Sequence, residues 1–221
     1  MPIRVFKVSI RKNPFIGAYV ALHNNRALVS PVVTQSFKKN LMEILGVEYV
    51  ASSTVGLVYS VNVMVAMNSN GIVLPKTTSE EELKEISKLG IPKFVVQSKI
   101  LAWGNLVVAN DKGCIISEYV PDEEASKIAD FLGVDWLKIS VGNYRSIGPF
   151  FAVSNEFGLA SNLVKPETLE KVTEVLKIKI IPTTLNGGEM LVKLGALVHD
   201  KAILVGKRTS GAELLNISSL N

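Results

Sequence analysis

One cysteine and two histidines occur in 221 residues: Cys114, His23 and His199. A single thiol excludes an intrachain disulfide and a multi-cysteine zinc site, and two histidines exclude a histidine-rich metal site. Nucleophilic catalysis would have to draw on these few side chains. Arginine is scarce as well: Arg4, Arg11, Arg26, Arg145 and Arg208 stand beside 19 scattered lysines, and the net charge is +4. Proteins that wrap nucleic acid through charge alone cluster their basic residues. The balance here reads as a solvated basic surface, or as one that meets a partly negative partner, and DNA is not expected among its partners. Long apolar runs are missing. Stretches such as 61–66 break within about eight residues, against the ~20 needed to span a bilayer. The N-terminus, Met1-Pro2-Ile3-Arg4-Val5-Phe6, alternates like a strand and lacks a signal-peptide core. No linker, low-complexity stretch or block of like charge marks an internal boundary. The expectation is a cytoplasmic protein, a single domain over residues 1–221, with no membrane association.

What is present is a repeat. Asn24, Asn68, Asn110, Asn155 and His199 each close an apolar run, at spacings of 42 to 45 residues. A short apolar strand follows each one, at 27–29, 72–74, 114–116, 159–160 and 202–205. A second marker runs in phase: Leu45-Gly46-Val47, Leu89-Gly90-Ile91, Leu132-Gly133-Val134 and Leu176-Lys177-Ile178, spaced by 43 or 44. Each ends a helical pattern, and Gly suits the left-handed residue after a helix. Narrow apolar stripes support the helices: Leu83, Ile86 and Leu89; Ala125, Ile128 and Leu132; Leu169, Val172 and Leu176. Acidic first turns, Glu80-Glu81-Glu82 and Asp122-Glu123-Glu124, suit the positive end of the helix dipole. Each unit of about 44 residues therefore reads strand, turn, strand, helix, strand, and five units fill the chain.

The ends of the chain bear on its closure. The fifth unit lacks its last strand, while a surplus strand at 3–10 precedes the first. If the N-terminal strand completes the fifth unit, no raw sheet edge remains. The predicted fold is α+β, a five-bladed β/α propeller with pseudo-fivefold symmetry, its ring closed by the N-terminal strand.

The segment NSNGIVLPKTTSEEEL at 68–83 superficially suggests a phosphate loop. A Walker-type loop needs several glycines before a Lys and a Ser/Thr at a helix start. Here Gly71 precedes a strand and Lys76-Thr77 follows it, so the segment reads as an Asn-Gly turn, a strand and a capped helix, repeated in every unit.

Five such units in a ring describe the pentein fold, and specific words resemble one family. Gly71-Ile72-Val73-Leu74-Pro75-Lys76-Thr77-Thr78 followed by acidic residues and Leu83 is similar to translation initiation factor 6 of archaea and eukaryotes. So are Leu101-Ala102-Trp103-Gly104-Asn105-Leu106-Val107-Val108-Ala109-Asn110-Asp111, and Val153-Ser154-Asn155 with Gly158 and Leu163-Val164-Lys165-Pro166. The resemblance implies a non-enzymatic ribosome anti-association factor without cofactor or metal, acting as a monomer. Such a factor binds the large ribosomal subunit on its joining face, near the sarcin–ricin loop of the rRNA and neighbouring ribosomal proteins. It keeps the small subunit away by occupying space and serves large-subunit maturation. The chain stops with its fifth repeat, which resembles archaeal members rather than the tailed eukaryotic ones.

Other penteins modify guanidino groups with a Cys nucleophile and a His, and a generic interaction ring is the third reading. Cys114 lies in the apolar run Gly113-Cys114-Ile115-Ile116, where a thiolate is disfavoured, and His199-Asp200 occupies a repeat turn. For binding, the strand that ends at each closing residue is expected to begin about five residues earlier, near Tyr19, Val63, Asn105, Phe150 and Leu194. These starts should converge at one end of the ring, either lining a channel or facing the ribosome. The resemblance points to Asn105 first. It adds Asn62, beside an apolar Val63, and Asn186-Gly187, in a loop that resembles the family's Asn-Arg-Gly without its Arg.

Overall fold

The computed structural model describes residues 3–220. After a first strand, β1 (Arg4–Val8), one unit recurs five times. The first holds β2 (Val20–His23), β3 (Arg26–Val29), helix α1 (Gln35–Leu45) and β4 (Tyr49–Ser52). The second holds α2 (Val61–Met64), β5 (Ala66–Asn68), β6 (Gly71–Pro75), α3 (Glu80–Ile86) and β7 (Lys93–Val96). The third holds α4 (Trp103–Leu106), β8 (Val107–Ala109), β9 (Cys114–Ser117), α5 (Asp122–Leu132) and β10 (Trp136–Ile139). The fourth holds β11 (Phe151–Val153), β12 (Phe157–Ser161), α6 (Pro166–Leu176) and β13 (Lys179–Thr183). The fifth holds α7 (Val192–Gly195), β14 (Ala196–His199), β15 (Ala202–Gly206) and α8 (Gly211–Ile217).

Each unit forms a three-stranded sheet whose middle strand runs antiparallel to the inner strand and parallel to the outer one. The fifth sheet takes its outer strand from the other end of the chain. β1 pairs parallel with β15, from Arg4 opposite Ala202 to Val8 opposite Gly206. The N-terminal strand therefore completes the fifth unit; Met1, Pro2 and Asn221 lie outside the described residues. The inner strands neighbour one another in order, β2 to β5, β8, β11 and β14, and β14 lies beside β2.

Burial explains why these segments read as they do. The middle strands are covered on both faces, as β3 is by α1 of its own unit and by the sheet and α3 of the next, so each is a continuous apolar run. Ile72, Val73 and Leu74 are fully buried, as are Ala202, Ile203, Leu204 and Val205. The outer helices bury the stripe read from their sequence: Ala125, Ile128 and Leu132 are inaccessible, while Glu123 and Lys127 pair in solvent. Gly46, Gly90 and Gly133 end helices with φ near +70°, and Lys177 takes the same left-handed role at φ 52°. Ser79 and Glu82 form a full capping box on α3, and Ser210 and Glu213 repeat it on α8.

The cores are shared between units. Leu28 and Ala51 of the first sheet pack with Ile72, Leu74, Ile86 and Leu89 of the second unit. Val29, Leu41 and Leu45 of the first unit pack with Leu197, Ala202 and Leu204 of the fifth. A single unit therefore cannot bury its own apolar face, the physical reason repeats of this kind occur in arrays.

Two expectations need correction. The repeat-equivalent closing residues are His23, Asn68, Asn110, Ser154 and His199, each three residues before its hairpin partner, as in His23 opposite Arg26 and Asn68 opposite Gly71. Asn24 and Asn155 lie one position further on. Asn serves both positions for different reasons. At the closing position its side chain accepts from the backbone two residues on, as Asn68 does from the Asn70 N–H; at the next it tolerates positive φ, as Asn24 does. Asn alone therefore does not fix the register. Secondly, each inner strand begins one to three residues after Tyr19, Val63, Asn105, Phe150 and Leu194, at Val20, Ala66, Val107, Phe151 and Ala196, and so is shorter than the five residues expected before its closing position. A helical turn stands there in every unit: α2, α4, α7 and the 3-10 turns Ile16–Ala18 and Gly148–Phe150.

Candidate partner-binding face

Counting back six residues from each corrected closing position gives Gly17, Asn62, Gly104, Gly148 and Lys193, one in each helical turn. These turns contact one another in sequence, and α7 of the fifth unit contacts the Ile16–Ala18 turn of the first. Glycine permits the approach. A Cβ on Gly104 would lie 2.0 Å from Asn62 O, and one on Gly148 2.1 Å from Gly104 O. The two non-glycine members send their side chains to other turns: Asn62 Nδ2 donates to Gly17 O of the adjacent turn at 2.8 Å, and Lys193 Nζ reaches past the fourth unit's turn to Gly104 O of the third at 2.8 Å.

The loops outside these turns form a rim at the same end, where the middle and outer strands finish. Leu57 is 82% exposed, and Tyr59, Tyr119 and Tyr144 are more than half exposed. Arg145 stacks its guanidinium 5.0 Å from the Tyr119 ring centroid. Asn105 sits half-buried in a hollow of about 270 Å³ with Lys99, Leu101, Tyr119 and Arg145. A second hollow of about 500 Å³, with Lys76 and Gln97, shares Lys99, Ile100 and Tyr119 with it. Apolar rings and aliphatic side chains edged by Lys and Arg form a surface suited to binding rather than to bond making.

The rim loops are held from beneath. Glu213 accepts from the Gly187, Gly188 and Ser210 N–H groups and from the Thr184 hydroxyl. Burial raises its pKa, but these donors together outweigh burial and bring it down to about 2. Glu82 holds the equivalent loop through the Gly56 and Leu57 N–H groups and Thr54, and its pKa is likewise lowered against the opposing effect of burial.

The opposite end is a polar plug made by the five hairpin turns. Asp111 accepts from Ser69 N at 2.8 Å, Ser69 Oγ at 2.8 Å, Asn24 Nδ2 at 3.1 Å and Asn155 Nδ2 at 2.6 Å, and stands 2.8 Å from His23 Nε2. Burial opposes its ionisation, yet the His23 ring and these donors hold its carboxyl well below the usual carboxylate range. His199 accepts from the Lys201 N–H through Nδ1 and bonds Asn24 O through Nε2, the arrangement of a neutral ring. Burial lowers its pKa first among the causes.

The sequence-derived residues separate on this geometry. Asn105 lines the rim hollow. Asn62 turns inward onto Gly17 O, and Val63 and Leu194 are half-buried. Tyr19 is half-buried with its hydroxyl accepting from Asn13 Nδ2 at 3.1 Å. Phe150 is 2% exposed and offers no surface. Asn186 is buried and donates to Pro14 O at 3.2 Å, whereas Gly187 is exposed with its N–H held by Glu213. The rim tyrosines, Lys193 and Asp111 were missed. The corrected register is the signal that finds the last two, since both then fall in repeat-equivalent columns. Cys114 is buried in the middle strand β9 and burial pushes its thiol pKa up, which leaves it inert. Among the described residues no group of three His, Cys, Asp or Glu could hold a metal, and no helix is long and apolar enough to cross a membrane.

Comparison with known proteins bears on the chain as a whole. Residues 5–220 match the model of the eIF-6 family. Translation initiation factor 6 of Staphylothermus marinus is 31% identical over 219 residues, covering 97% of this chain and 96% of the relative. That of Thermococcus onnurineus is 31% identical over 221 residues, with 97% and 96% covered. Among solved structures, DDAH from Pseudomonas aeruginosa, a mutant complexed with citrulline, is similar at a TM-score of 0.51 and 14% identity, covering 92% of this chain and 71% of that one. This last likeness concerns the pentein fold alone. Family model and relatives agree over nearly the whole length: the chain belongs to the eIF-6 family.

Proposed function

We propose that this protein is a non-enzymatic translation factor that binds the large ribosomal subunit and prevents its association with the small subunit, with a role in large-subunit maturation. It acts as a cytoplasmic monomer, a single domain whose five sheets close into a ring. Ring closure is supported by the β1–β15 pairing and by the core that the first and fifth units share. The observation that carries the binding reading is the rim hollow around Asn105, with exposed Tyr119 and Leu101 beside Lys99 and Arg145. Aromatic and aliphatic side chains suit a ribosomal protein, while the flanking cations suit rRNA phosphates. Blocking subunit joining needs affinity and bulk, which a rigid scaffold supplies without chemistry. A guanidino-modifying activity is disfavoured by the inert position of Cys114.

The test is co-sedimentation with separated large and small subunits. Asn105→Arg is expected to lower large-subunit binding by about tenfold or more, as loss of a central contact does, with an unchanged melting temperature. Equal binding by the variant would remove this face from the proposal. Failure of the unaltered protein to bind large subunits would remove the function.

A further inference from the structure

The cavity between the five inner strands contains a charged side chain that the proposed function does not use. It measures about 60 Å³, several times the ~10–15 Å³ that one water needs. Residues of all five inner strands line it, among them Val20, Met67, Val107 and Phe151, and its polar side chains are those of Asn62 and Lys193. Lys193 Nζ spends one N–H on Gly104 O at 2.8 Å. An ammonium has three, and among the described residues the other two have no protein acceptor and no carboxylate pairs with Lys193. Asn62 Nδ2 uses one hydrogen on Gly17 O and keeps a second.

Lys193 is half-buried, and an ammonium turned from bulk water into an apolar cavity gains from a partner of opposite charge. No residue of the lining supplies that charge, which leaves the place open to a small ion. We propose that this cavity is a binding site for a small monovalent inorganic anion of the halide type, held by the Lys193 ammonium with the Asn62 amide as second donor. Divalent oxyanions do not fit, because two donor groups among apolar walls would leave their oxygens and second charge unsatisfied. Burial brings the Lys193 pKa down to about 8, so the site loses its cation, and its anion, in an accessible pH range. Among the described residues no other ionisable group lines the cavity. Of the elements packed against α7, only β14 carries one, His199, at its far end, where its ring is engaged by Asn24 O and the Lys201 N–H.

Bromide is the probe. Crystals of the whole chain soaked in sodium bromide at about pH 6.5 should show an anomalous peak within hydrogen-bonding distance of Lys193 Nζ, lost at about pH 10 where the amine is neutral. In solution, bromide should raise the melting temperature relative to gluconate at equal ionic strength. Its apparent affinity should fall about tenfold per pH unit above 8, following the protonated fraction. Lys193→Met, of similar length and apolar, should abolish both signals. Only water in the cavity at about pH 6.5, or a peak indifferent to pH, would overturn the proposal. The pH comparison on the unaltered chain decides this even if the variant fails to fold.

Discussion

His23 Nε2 lies 2.8 Å from Asp111 Oδ1, tying the inner strand of the first sheet to the hairpin turn of the third across 88 residues of chain. Three further side chains, Asn24, Ser69 and Asn155, donate to the same carboxylate.

Asp111→Ala should therefore destabilise the protein by about 2–3 kcal/mol, since it leaves several inward donors without an acceptor. Its folded pKa is depressed, so its contribution is complete above the unfolded value of about 4 and is lost as pH falls through the folded value. Urea denaturation at about pH 7 and pH 3 checks both points. Stability that stayed equal in the two, or a variant as stable as the parent, would show the plug to be passive.

Gly104→Ala would set a methyl 2.0 Å from Asn62 O and 2.5 Å from Val65 O, both backbone atoms. Backbone cannot swing aside as a side chain does, so a loss of about 3 kcal/mol is expected, at the upper end for overpacking. Gly90→Ala meets no atom within 4 Å but keeps φ at +67°, so it should cost less, about 1 kcal/mol. Thermal melts of the pair separate steric conflict from backbone strain.

Glu213 joins a helix cap to a rim loop. Glu213→Ala should cost about 2–3 kcal/mol and free the Gly187-Gly188 backbone, since one carboxylate serves both. Its pKa falls from 4.5 to about 2 on folding, so its stabilisation is present above about 4.5 and lost as pH drops toward 2. Amide hydrogen exchange at Gly187 and Gly188 is the direct readout. Exchange no faster in the variant would mean the loop is held by other contacts.

β1 covers the edge of β15 over five residue pairs. Deleting residues 1–10 should expose that edge, lower the melting temperature and promote association, as an unpaired flat strand does. Size-exclusion chromatography with calorimetry tests this. A monomer that melts cooperatively at the parent temperature would make β1 dispensable.

Local chemistry determined much of this protein. Apolar middle strands such as Ile72-Val73-Leu74, helix stripes such as Ala125, Ile128 and Leu132, the glycines at helix ends and the Ser79–Glu82 capping box were all legible, because each depends on neighbours within a few residues. The missing last strand was legible too, from the imbalance between the two ends. Three things awaited the tertiary structure. The exact register of the turns depends on which Asn caps and which takes positive φ. The helical turns before the inner strands are held by close contact between units, through Gly104 and Gly148, and not by local propensity. The burial of Phe150 and Asn186, the exposure of Tyr119 and Tyr144, and the inward turn of Asn62 and Lys193 follow from how five sheets share their cores and one cavity. A side chain's direction in such an array is set by residues some 44 positions or more away, which no local pattern encodes.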